Sequence, residues 1–151
     1  MTARRLLLAS LFGVAMGYLE AAVVVYLRRL YYPGGFEFPL VQMPVFVVLV
    51  EMGRELATLL MLWAVAMLAG RTGRERFAWF SFLFGVWDIV YYVALYLLLR
   101  WPPDLATPDL LFLIPPGPWW IQPVWVPVVI SGVMILAGAW LFAAPERRRT
   151  R

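Results

Sequence analysis

Residues 44–70 read PVFVVLVEMGRELATLLMLWAVAMLAG, and how this stretch is interpreted decides the fold. It is long and apolar enough for a membrane-crossing helix, which needs ~20 such residues. Yet Glu51, Arg54 and Glu55 lie well inside it. At ~100° per residue these three and Thr58 share roughly a third of the helix circumference and form one polar stripe. A charge in a spanning helix costs about 2.5–3.5 kcal/mol on insertion scales, so the stripe is expected to face protein or water, not lipid.

Working outward, the rest of the chain fits the same solvent. Of 151 residues, 64% are hydrophobic and 15% charged, against ~25% charged in a soluble domain. Three further apolar stretches complete an all-α, integral membrane four-helix bundle in one domain. Its transmembrane helices are expected at 6–30, 44–70, 77–100 and 123–144. The first follows Arg4 and Arg5, like the start of a signal peptide. It runs on without a small-residue cleavage site and is read as a retained signal anchor. Between the third and fourth helices, 101–122 (WPPDLATPDLLFLIPPGPWWIQ) has too many prolines for a long helix. Asp109 is suited to start a short helical turn through LLFLI.

Arginine placement sets the orientation. Arg4, Arg5, Arg71, Arg74, Arg76, Arg147, Arg148, Arg149 and Arg151 fall on one side, and Arg28, Arg29 and Arg100 on the other. The positive-inside rule places both termini in the cytoplasm of a bacterial-type inner membrane and the 101–122 loop outside. The net charge of +4 is thereby read as topology, with no nucleic-acid partner. All 13 basic residues are Arg, which reads as codon bias.

A weak repeat runs through the helices. Gly13, Gly17 and Glu20 match Ser81, Gly85 and Asp88, while Pro44 and Gly53 match Pro123 and Gly132. This suggests a 2+2 parallel repeat about an axis along the membrane normal. The small residues at 13, 17, 81 and 85 suit close packing of the first helix on the third.

Chemistry is bounded by what is missing. With no Cys and no His, disulfides, zinc sites, haem ligation by these residues and Ser-His triads are excluded. No catalytic motif is present, so the reading leans away from an enzyme, and no cofactor is expected. At 1.5 Å per residue, Glu20, Glu51, Arg54, Glu55 and Asp88 converge between the midplane and the outer leaflet. Arg54 is expected to pair one or two acids, with Tyr91, Tyr92 or Tyr96 donating to others.

Glu20, Glu51, Arg54, Glu55, Asp88 and Tyr92 are therefore the candidate ion- or ligand-binding residues, the ligand being a cation, a proton or an amphiphile. Trp63, Trp87, Tyr91 and Trp125 offer aromatic faces to an organic cation. A carboxylate-only metal site is an open but weaker alternative, because bundle di-metal sites use Glu-x-x-His. The other main alternative is a non-catalytic subunit or assembly factor whose charges fix helix register. Trp119 and Trp120 are read as interfacial anchors, or as a lid or partner surface. Besides the lipid bilayer, a second copy or a membrane-complex partner is expected, since one chain this small makes a short transport path.

Overall fold

The computed structural model describes residues 3–143. The Arg-rich tail used in the orientation argument and the expected last residue of the fourth helix, 144, lie outside them. Four long helices make up the described chain: α1 (Ala3–Tyr31), α2 (Val45–Ala69), α3 (Gly73–Leu99) and α4 (Trp125–Ala143). Three of them, α1, α3 and α4, are long and apolar enough to cross a membrane. The expected four spans are thus three by this measure, because α2 carries the charged stripe.

α3 is the axis of the bundle. Its buried residues, among them Ala78, Trp79, Leu83, Trp87, Asp88 and Leu95, are distributed around its circumference, because α1 and α4 pack along it on two sides and α2 leans on it as well. Glycines set the close approaches. A Cβ on Gly13 would meet Val86, and one on Gly17 would lie 2.5 Å from the Trp87 carbonyl oxygen, so the GxxxG of α1 seats on α3. Gly85 faces the other way: its Cβ would lie 2.5 Å from the Ser131 carbonyl oxygen of α4. Gly85, expected to pack α3 on α1, thus serves the α3–α4 seam instead. Gly53 and Gly132, matched in the repeat, have open space around them.

The α2 stripe behaves as its charges require. Glu51, Glu55, Thr58, Leu62 and Ala66 are buried, at a spacing that keeps them on one face. The opposite faces of the helices stay apolar and exposed, with Phe46, Leu68, Leu136 and Trp140 all more than two-thirds exposed. In an aqueous protein that would be an aggregation liability; toward lipid it is the required surface.

Three helix starts differ from the sequence reading by two residues or more, α1 beginning at Ala3 rather than 6. α3 begins at Gly73 rather than 77, because Thr72 caps it. The Thr72 hydroxyl accepts from the Glu75 amide at 3.2 Å, and the Glu75 carboxylate accepts from the Arg71 amide at 2.7 Å. This variant of the capping box turns an expected basic loop into the first helical turn. α4 begins at Trp125 rather than 123, because the 101–122 loop is not irregular. Strands β1 (Pro108–Leu110) and β2 (Ile121–Pro123) pair antiparallel, with Asp109 opposite Gln122. Asp109 therefore sits in a strand, where an Asp-started turn was expected. A 3-10 turn, Pro118–Trp120, leads into β2.

Candidate functional site

The ribbon and the α1–α2 connection cover one end of the bundle. Beneath them lies a cavity of about 770 Å³ bounded by all four helices and by residues of β1 and the chain after it. Five carboxylates line it (Glu20, Glu51, Glu55, Asp88 and Asp109) against two guanidiniums, Arg28 and Arg54.

Arg54 is the hub of the α1–α2 contact. Its Nε donates to Glu51 Oε2 at 2.8 Å, one turn back on α2, and its Nη1 donates to Glu20 Oε1 on α1. The Thr58 hydroxyl donates to the second Glu20 oxygen at 3.0 Å. The expected Arg–carboxylate pairing is present at Glu20 and Glu51, and both oxygens of Glu20 are engaged.

Glu55 and Asp88 take other partners. Glu55 lies one turn beyond Glu51 but turns to the chain after β1, where its two oxygens accept from the backbone amides of Leu113 (2.7 Å) and Ile114 (3.1 Å). A helix side chain thus clasps the covering segment by its main chain. Asp88 Oδ2 accepts from the Ser131 hydroxyl of α4 at 2.7 Å, a bond allowed by the close approach at Gly85.

Tyr92 bonds outside the expected set. Its hydroxyl donates to Asp109 Oδ2 at 3.0 Å, while Arg28 Nη2 donates to Asp109 Oδ1 at 3.4 Å. The Arg28 guanidinium lies between two rings, 4.1 Å from the centroid of Phe36 and 3.7 Å from that of Trp101. Arg28 and Asp109 are both over nine-tenths buried. The sequence reading left this pair out of the site, treating Arg28 as an interfacial charge. The signal was present: Arg28 continues the buried α1 face of Ala9, Gly13, Gly17 and Ala21 at helical spacing. Asp109 gave no such signal, because its burial depends on pairing with a strand that follows it.

Burial pushes the Asp109 carboxyl up to about 6, with Arg28 and the Tyr92 hydroxyl opposing the rise. The aromatic residues divide. Trp87 and Tyr91 line the cavity, whereas Trp63 and Trp125 are half exposed on the outer surface. Trp120 lines the cavity, stacks edge-on against Phe112 and donates its Nε1–H to the Pro115 carbonyl at 2.8 Å; Trp119 is mostly exposed. Among the described residues, no three acids gather closely enough to hold a metal ion.

Compared with known proteins, the chain matches no family model and has no significant match among curated proteins or solved structures.

Proposed function

We propose that this is an integral membrane protein, with α2 as a fourth span and both termini cytoplasmic, whose cavity binds a cation. The charge balance of the cavity carries the reading. Fully ionised, its five carboxylates outnumber its two guanidiniums, and low-dielectric surroundings favour a compensating positive charge. The oxygens best placed to receive it are those left over from internal bonds, Asp88 Oδ1 and Glu51 Oε1, with Trp87 and Tyr91 as aromatic walls. At about 770 Å³ the space suits an organic ion, since ligand pockets run ~300–1,000 Å³. Moving a cation or proton onward would need a route to the other face, which a second copy or a membrane partner would complete.

Calorimetric titration of the detergent-purified protein with tetraethylammonium tests this. The wild type is expected to bind, and Asp88→Asn to weaken binding at least tenfold. Absence of binding by the wild type would remove the proposal.

A second reading has its own observation. Arg54 bonds both Glu20 and Glu51 and ties α1 to α2, which is what a purely structural ion cluster does. The two readings separate on stability. A ligand-binding Glu51 predicts that Glu51→Gln leaves melting unchanged or raises it. A structural one predicts a clear loss.

A further inference from the structure

The cavity is not closed on all sides. Among the described residues α2 packs extensively only on α3, so it stands away from α4 on its other flank. Val45 at the start of α2 and Ile130 on α4 both line the cavity, yet they are 75% and 50% exposed. The cavity therefore reaches the outer surface between these two helices. Val48 and Met134 extend the same wall inward. In a membrane this gap faces hydrocarbon, so its natural visitor carries an apolar chain.

Two donors inside bear on the polar end of that visitor. Trp87 and Arg28 line the cavity and are more than nine-tenths buried, at 6% and 7% exposure. Trp87 Nε1 and Arg28 Nη1 have no hydrogen-bond partner among the described residues. A buried donor left unpaired costs ~1–3 kcal/mol, so an acceptor oxygen nearby would be favourable. The cavity thus has two complementary demands: a positive group for the surplus carboxylates, and an acceptor for the orphan donors.

Resting on the cation-binding reading above, we propose that the ligand is a bilayer amphiphile with a zwitterionic head, its ammonium toward Asp88 and Glu51, an acceptor oxygen toward Trp87, and its chain leaving between α2 and α4. The modest volume is consistent with this arrangement, because the cavity has to hold only the head and the first part of the chain.

The test is competitive lipid retention by native mass spectrometry. The full chain in maltoside micelles is offered equal amounts of dioleoyl phosphatidylethanolamine, dioleoyl phosphatidylglycerol and the cationic dioleoyl trimethylammonium propane. One equivalent of the zwitterionic lipid is expected to stay bound, at least fivefold over either competitor. Trp87→Phe keeps the ring and removes the donor, and is expected to erase the preference over the cationic lipid. Ile130→Trp, in the portal, is expected to cut retention of the zwitterionic lipid at least fivefold.

Retention of the cationic lipid equal to or above that of the zwitterionic one would overturn the zwitterion assignment and leave the cation site standing. Equal retention of all three would mean annular lipid only and would also overturn it. Tetraethylammonium binding with no lipid retained would overturn the bilayer origin of the ligand. Absence of tetraethylammonium binding would remove the cation site itself, and with it the lipid assignment that rests on it.

Discussion

At the scale of single residues, the site is governed by how each buried charge is answered. Asp109 is held up at about 6, against the ordinary 3.8, chiefly by burial. Because the folded value lies above the unfolded one, its contribution to stability is fully present below about pH 4. That contribution is lost as pH rises through about 6. The stability of Asp109→Asn relative to the wild type is therefore expected to rise between pH 4 and pH 6 and to stay level above that. A difference independent of pH would show that Asp109 titrates normally. Asp109→Ala is a different perturbation. It leaves Arg28 buried with rings but no counter-charge, and is expected to cost about 3–5 kcal/mol. Glu55 anchors two amides, and glutamine in its place offers only one acceptor oxygen. Glu55→Gln is expected to cost about 1–3 kcal/mol and to speed hydrogen exchange selectively at Leu113 and Ile114. Exchange unchanged at those amides would mean that the clasp contributes nothing in solution.

At the scale of the elements, helix contacts are fixed by the positions that lack side chains. A Cβ on Gly17 would press on the Trp87 carbonyl of α3, whereas one on Gly53 would meet nothing within 4 Å. Gly17→Leu is expected to lose about 3 kcal/mol or more by overpacking an interface whose nearest atom is backbone. Gly53→Ala is expected to gain about 0.5–1 kcal/mol from helix propensity alone. Unfolding titrations from maltoside into dodecyl sulfate read both. α3 ends on Arg100, which is left-handed at φ 54°, a conformation that glycine adopts without a Cβ penalty. Arg100→Gly is expected to raise stability by up to about 1 kcal/mol, in the same titration.

At the scale of the whole molecule, the orientation is open to a direct measurement because the chain has no cysteine. Trp119→Cys, on the exposed part of the covering segment, should react in intact cells with a membrane-impermeant maleimide. Gly73→Cys, at the start of α3, should react only after lysis. The reverse pattern would invert the proposed topology and place the cavity mouth toward the cytoplasm.

Sequence by itself determined the class of this protein, because hydrophobic length and charge scarcity are local properties that need no partner to be read. It likewise determined that the α2 stripe turns inward, since a 3.6-residue period places Glu51, Glu55 and Thr58 on one face wherever the helix goes. The GxxxG of α1 was legible for the same reason, and Arg54 was the natural partner for carboxylates at its depth. Tertiary structure alone decided which acid meets which partner. Glu55 chose two backbone amides 58 and 59 residues away, and Arg28 met Asp109 across 81 residues, pairings that no local period encodes. It also decided that Gly85 faces α4, and that a proline-rich stretch folds into a ribbon over the cavity. Each of these depends on which surfaces are brought together, and a helical repeat fixes the face of a residue without naming its neighbour.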